Sequence, residues 1–211
     1  MTYLGYAGSS GAPYVDYVLA DRIVIPEVEQ SLFREKVVYL PETFMGTDSK
    51  RAIAMNTPSR ADEGLPETGF VFCAFSNSYK ISPQIFDVWM EILRGLDGSV
   101  LWLSGANDNA IGNLRTEARL RGVDPSRLFF ARRVARNDEH LARHRLAGLF
   151  LDTAPLGAHS TICDALWTGT PVLTCAGSTF GGRVAASLLS ALGLTELIVD
   201  SLVDYKESAL R

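Results

Sequence analysis

From residue 69 onward the chain alternates short apolar runs with longer amphipathic stretches. Residues 69–75 (Gly-Phe-Val-Phe-Cys-Ala-Phe) are apolar almost throughout, the pattern of a strand buried on both faces. Ser82 and Pro83 form an N-cap and first-turn pair that predicts a helix to about Leu96. The alternation continues with a strand over 100–103, a helix over 109–121, a strand over 127–131, a helix over 138–145 and a strand over 149–152. A further helix opens with Ser160 or Thr161 as N-cap and ends at Gly169, and a strand begins at Pro171. Gly181 and Gly182 lead into a helix over 183–192, residues 195–199 fit no single pattern, and 203–210 reads as helical. Repeated strand and helix with short links predicts an α/β fold, a parallel sheet with helices on both faces.

The first third is less regular. Tyr3 and Leu4 read as the end of a strand, and Gly5, Gly8 and Gly11 break it into a loop. Residues 16–20 suggest a short helix, while 22–26 (Arg-Ile-Val-Ile-Pro) and 36–40 suggest strands. Between residues 41 and 66 the apolar periodicity fades into Thr, Ser, Asp, Pro and Gly, a connection that sets a domain boundary near residue 65.

In a parallel sheet, ligands bind beyond the carboxyl ends of the strands. That rim collects residues 77–80, 105–109, 132–137 and 153–161, where polar residues cluster. The helix opening at Ser160 is the centre of it. A helix N-terminus offers unpaired N–H groups and a positive dipole end to an anion, and His159, Ser160 and Thr161 add donors. Asp164 lies one turn on and shares their face. A carboxylate beside a phosphate is repelled by it unless it accepts from a sugar hydroxyl, so the set suggests a nucleotide, with pyrophosphate on the helix end and ribose on Asp164. The same residues also suit an ordinary capped helix. Lys80 could reach the same diphosphate and offset leaving-group charge, or be a solvent lysine. His140 and His144 share a helix face, but His-Glu-x-x-His is absent and no metal is expected. Nucleophile-elbow and Walker motifs are missing as well.

Charge and cysteine content narrow the classes. The 211 residues carry a net charge of −4, which gives no basic field for nucleic acid. Arg132, Arg133, Arg136, Arg143 and Arg145 cluster locally, fitting either a small anionic ligand or a solvated helix face. Cys73, Cys163 and Cys175 sit apart in apolar contexts, as reduced core residues of a cytoplasmic protein. Neither a signal peptide nor an apolar run of membrane length is found.

With these residues laid out, the chain resembles the C-terminal part of the O-linked N-acetylglucosamine transferase family, the SPINDLY-like glycosyltransferases. Four segments carry the resemblance: Leu-Gly-Tyr-Ala-Gly-Ser-Ser-Gly at 4–11, Phe-Cys-Ala-Phe-Ser-Asn-Ser-Tyr-Lys at 72–80, Asp-Glu-His-Leu-Ala-Arg-His at 138–144, and the run from Leu151 through His159, Ser160, Thr161 and Asp164 to Val172. Gly-Gly-Arg-Val-Ala-Ala-Ser at 181–187 extends the last. The chain departs from the family pattern at Ala7, Ser76, Asn137 and Gly157.

The resemblance implies a GT-B glycosyltransferase, with residues 1–65 as a remnant of the first catalytic domain plus linker and 66–211 as the UDP-sugar-binding domain. It implies transfer of N-acetylglucosamine or a related sugar from UDP to Ser or Thr hydroxyls of a protein acceptor, with inversion and without metal or other cofactor. Lys80 and His159 would serve as catalytic residues on the diphosphate, with Ser160 and Thr161 beside them. Asp164 would hold the ribose, and Asn77, His140 and Arg143 would surround uridine and diphosphate. An upstream tetratricopeptide-repeat region is the implied partner. The alternatives are a non-catalytic nucleotide-sugar-binding fragment and a protein-interaction module.

Overall fold

The computed structural model describes residues 1–211. Two short strands, β1 (Tyr17–Ala20) and β2 (Lys36–Tyr39), pair in parallel near the N-terminus. Thr2 bridges the free edge of β1 at Val18, so the strand ending foreseen near Tyr3 is a single bridge.

The main body alternates β3 (Val71–Ala74), α1 (Pro83–Gly95), β4 (Val100–Ser104), α2 (Asp108–Leu120), β5 (Leu128–Ala131), α3 (Asn137–Arg143), β6 (Leu149–Leu151), α4 (Ser160–Trp167), β7 (Val172–Cys175), α5 (Phe180–Ala191), β8 (Ile198–Val199) and α6 (Leu202–Ala209). Its six strands are all parallel, in the order β5-β4-β3-β6-β7-β8. This is the doubly wound α/β arrangement that the alternation predicts. The chain moves outward from β3 to β5, returns to β6 beside β3, then moves outward the other way. Side chains of successive strand residues divide between two cores. Val71, Cys73, Val100, Trp102 and Phe150 face α4, α5 and the N-terminal segment, whereas Phe72, Ala74, Leu101, Leu103 and Leu151 face α1, α2 and α6.

The N-terminal segment shares the first core. Val18, Val24, Ile25 and Phe44 are buried against Phe180, Val184 and Leu188 of α5. Phe44 and Phe180 meet edge to face, with ring centroids 4.9 Å apart. At the same seam the buried carboxylate of Asp21 takes four donors: the amides of Ile23 (2.9 Å), Val24 (3.0 Å) and Phe44 (2.8 Å), and the Ser187 hydroxyl (2.6 Å). The Arg183 guanidinium adds a two-pronged pair with Glu29.

Three expectations are corrected here. Of residues 16–20, Tyr17–Ala20 form strand β1 rather than a helix, because alternate residues Val18 and Ala20 are buried beneath it. Residues 22–26 are a turn rather than a strand, since Asp21 captures the Ile23 and Val24 amides that a sheet would need. Helix α5 begins at Phe180, with Gly181 and Gly182 inside its first turn, and Thr179 caps it by accepting from the Gly182 amide at 3.2 Å. A Cβ on Gly182 would lie 2.7 Å from the Pro155 carbonyl oxygen, so glycine lets α5 approach the loop that follows β6.

That loop is fixed by one buried carboxylate. Asp152 Oδ1 accepts from the amides of Thr153 (2.8 Å) and Ala158 (2.7 Å), and Oδ2 accepts from the Thr174 hydroxyl of β7 (2.7 Å). Tyr205 of α6 donates to the Asp152 carbonyl at 2.9 Å. Burial raises the Asp152 carboxyl to about 6, against the pull of these donors.

Two predictions follow from these carboxylates. Asp21→Ala leaves three amides and a hydroxyl without their acceptor, and urea denaturation should show a loss of about 3 kcal/mol; a loss below about 1 kcal/mol would contradict the role given to Asp21. For Asp152 the folded pKa lies above the unfolded one, so its stabilising contribution is complete below the unfolded value near 3.8 and is lost as pH rises through about 6. Asp152→Asn keeps an oxygen for the two amides, and the Thr174 hydroxyl can reverse. The stability of this variant relative to the parent should therefore rise by about 2–3 kcal/mol between pH 4 and pH 7.5, whereas a pH-independent difference would contradict the assignment.

Candidate functional site

Strands β3 and β6 are neighbours, but the connections that leave their carboxyl ends go to opposite faces of the sheet. A crevice opens there, and the loops after both strands line it. After β3 come buried Ser76, exposed Asn77 and a 3-10 turn, Ser78–Lys80. After β6 comes the loop from Asp152 to His159, which delivers the chain to α4.

Lys80 is not a free solvent lysine. Its Nζ reaches across the crevice and donates to the Gly157 carbonyl at 2.7 Å. A Cβ on Gly157 would lie 3.1 Å from Asp152 Oδ2 and 3.2 Å from the Gly181 carbonyl oxygen, a fit tight enough to account for glycine at this position. The Gly157 amide donates to Gly181 O at 3.2 Å.

The N-cap of α4 is His159, one residue earlier than the Ser160 or Thr161 expected from sequence. Its backbone is non-helical and its carbonyl accepts from the amides of Ile162 and Cys163 at 3.1 and 3.3 Å. No side chain caps the helix, and the amides of Ser160 and Thr161 have no partner within the protein. Four other helices are capped by a side chain: Ser82, Asn107, Thr179 and Ser201 each accept an N–H of the first turn. At α4 the positive helix end therefore faces the crevice with two open N–H groups and the Ser160 and Thr161 hydroxyls beside them. The His159 ring lies 3.2 Å from the Gly181 carbonyl oxygen through Nε2, so that nitrogen carries the proton and donates. Burial lowers the pKa of His159, and the nearby Lys80 charge lowers it further. The imidazole is therefore neutral, with Nδ1 as its remaining acceptor.

One hollow adjoins this helix end and a second lies further along the sheet rim. The first, about 540 Å³, lies between the glycine loop (Leu4, Gly5, Tyr6) and the starts of α4 and α5, with His159, Ser160 and Gly181 on its wall. Glu35 pins that loop: its buried carboxylate accepts from Ser9 Oγ (2.6 Å) and the Ser10 amide (2.8 Å), and also from the Ser10 hydroxyl. The other hollow, about 270 Å³, lies at the ends of β3, β4 and β5, lined by Phe75, Gly105, Arg132, Val134, His140 and Arg143. Burial lowers the pKa of His140 as well, opposed by the Asp164 charge nearby. Asp164, one turn into α4, is near enough to His140 for its charge to act on that ring.

The arginine cluster does not act as one surface. Arg143 is 2% exposed, paired with an equally buried Glu63 at 3.2 Å, and donates to the Arg132 carbonyl at 2.7 Å. The solvated-face alternative fails for it. Arg145 ties the 54–57 stretch to the turn after α3, donating to Ala54 O at 3.1 Å and Thr57 Oγ1 at 3.2 Å, and Arg136, just ahead of α3, pairs with Asp138 in its first turn. His144 is fully buried against Phe75, and burial lowers its pKa to about 4, so it is a core residue. The three cysteines are unpaired, with Cys73 and Cys163 buried and Cys175 half-buried. Residues that composition and spacing did not single out are Asp152, Glu63, Arg51 and Glu35, each binding a group distant in sequence.

Of the expected site residues, Lys80, His159, Ser160 and Thr161 meet at the crevice. Asp164 stands one turn along the helix, His140 and Arg143 line the smaller hollow, and Asn77 lies exposed at the rim. No helix is long and apolar enough to cross a membrane.

Comparison with known proteins bears on the family and the fold. The family model for glycosyl transferase family 41 matches residues 1–57 and 46–211. A probable UDP-N-acetylglucosamine–peptide N-acetylglucosaminyltransferase of Arabidopsis thaliana is 37% identical over the whole chain, and the match covers 22% of that protein. The Caenorhabditis elegans UDP-N-acetylglucosamine–peptide N-acetylglucosaminyltransferase is 40% identical over 72% of the chain and 13% of its own length. A mutant O-GlcNAc transferase of Thermobaculum terrenum superposes with a TM-score of 0.86 at 27% identity, over 99% of this chain and 39% of that one. A glycosyltransferase of lipopolysaccharide biosynthesis shares the fold, with a TM-score of 0.55 at 19% identity. The chain thus spans about a fifth of the length of the plant relative. Family-model coverage of every residue identifies the chain as a member of glycosyl transferase family 41.

Proposed function

We propose that this chain forms the nucleotide-sugar-binding part of a protein O-glycosyltransferase that uses UDP-N-acetylglucosamine or a related UDP-sugar. The observation that carries the reading is the uncapped N-terminus of α4 at the β3/β6 crevice, with Lys80 beside it. The diphosphate would rest on the Ser160 and Thr161 amides and hydroxyls and on the Lys80 ammonium. The sugar would extend into the larger hollow below the glycine loop, and the uracil into the smaller one beside His140. Asn77 at the rim and Arg143 at the smaller hollow complete the donor shell.

Transfer forms a bond from a Ser or Thr hydroxyl oxygen of the acceptor protein to the anomeric carbon and breaks the bond from that carbon to the diphosphate oxygen. The hydroxyl proton leaves to a base. UDP departs with added negative charge, which Lys80 and the helix dipole stabilise where it develops. Neutral His159 would orient the leaving group without bringing a second cation into the crevice. In-line attack on the face opposite the leaving group inverts the anomeric centre. This assembly supplies positive charge from side chains and backbone, so no metal is assigned to it. Residues 66–211 would form the donor domain, and 1–65 the edge of an acceptor-side domain that an upstream tetratricopeptide-repeat region would serve. A cytoplasmic location fits the three unpaired thiols.

Calorimetric titration with UDP and UDP-N-acetylglucosamine checks the assignment. The unaltered chain should bind both, and Lys80→Ala and His159→Ala should each weaken binding by about tenfold or more, as expected for lost contacts to a charged ligand. Folded protein that binds neither ligand, or variants with unchanged affinity, would contradict it.

A further inference from the structure

The connecting stretch ahead of β3 sends Arg51 onto α4. Its guanidinium Nη1 pairs with Asp164 Oδ1, and its Nη2 lies 3.4 Å from the Cys163 carbonyl oxygen. The guanidinium also lies over the Trp167 ring, 5.6 Å from its centroid. Trp167 Nε1 in turn donates to the Arg51 carbonyl at 3.1 Å. Both charged side chains are largely buried, 17% and 15% exposed. Arg51 is therefore held at side chain and backbone, and it holds one oxygen of Asp164. The other oxygen, Oδ2, accepts no hydrogen bond from the protein.

We propose that Arg51 is a positioning residue for nucleoside recognition: by fixing Asp164 Oδ1 it turns Oδ2 toward the ribose hydroxyls and neutralises a carboxylate that would otherwise repel the neighbouring diphosphate. The proposal rests on the reading of Asp164 as the ribose contact. The physical need is plain. A lone carboxylate one turn from an anion site opposes binding through Coulomb repulsion, which is strong where water is excluded. A guanidinium paired on one side cancels that repulsion and leaves an acceptor for the sugar. An arginine suits this better than a lysine, because its planar fork can pair with the carboxylate, contact a carbonyl and stack on an indole at once.

The test compares UDP with 2′,3′-dideoxyuridine 5′-diphosphate on the full chain, with Arg51→Ala and Arg51→Lys as variants and thermal unfolding to confirm that each is folded. The parent should prefer UDP by about tenfold or more, the value of hydrogen bonds to a charged acceptor. Arg51→Ala should cut that preference to about threefold or less and weaken UDP binding, and Arg51→Lys should fall between the two. An Arg51→Ala variant that weakens both nucleotides by the same factor, or leaves both unchanged, would overturn the proposal while the donor site stands. A parent that binds the two nucleotides equally would overturn the ribose role of Asp164 and this proposal with it. A parent that binds neither would remove the donor site itself.

Discussion

Parallel pairing of β3 with β6 is the constraint on which the site depends. A parallel sheet needs a crossover after every strand, and right-handed crossovers that begin at the centre and run outward both ways must separate at the midpoint. The crevice at the strands' carboxyl ends is the consequence, and Lys80 and the start of α4 are delivered to it by the loops leaving these two strands. Strand β3 brings Lys80 and strand β6 brings the loop to His159 and α4. The tie between Lys80 Nζ and the Gly157 carbonyl joins the two loops across the gap.

Charge in this region is spent on holding backbone rather than on display. Asp21, Glu35 and Asp152 each take several donors, at least one of them from a segment distant in sequence, and each is buried. The Arg143–Glu63 and Arg51–Asp164 pairs bring the connection between the two sheets onto α3 and α4. Such pairs add little net stability, because desolvation offsets their attraction, but they do fix where side chains stand. What remains open toward the crevice is one helix end and one lysine, a combination suited to a small anion held by backbone N–H groups.

The alternation from residue 69 onward was legible because strands buried on both faces are apolar at every position and their helices begin with polar caps. Ser82 and Pro83 illustrate it: the Ser82 hydroxyl accepts the Ile85 amide as the sequence suggests. The first third was harder to read. Residues 22–26 have strand-forming side chains, yet the Asp21 carboxylate decides their conformation from outside the run. His159 was misplaced by one residue because Ser and Thr are the usual caps, and at α4 neither caps. The Arg51–Asp164 pair spans 113 positions and leaves no local signature, and the burial of Arg143 depends on Glu63, which lies in an irregular stretch. The candidate site residues were named from their positions just after strands and from the family resemblance. Their partners became visible only once the chain was folded.

The most direct measurement is a crystal structure of the chain with UDP. The account predicts the diphosphate on the first turn of α4, with phosphate oxygens about 3 Å from the Ser160 and Thr161 amides and from Lys80 Nζ, the reach of ordinary charge-assisted hydrogen bonds, and the ribose hydroxyls on Asp164. Nucleotide density elsewhere on the molecule, with the α4 terminus and Lys80 untouched, would contradict it.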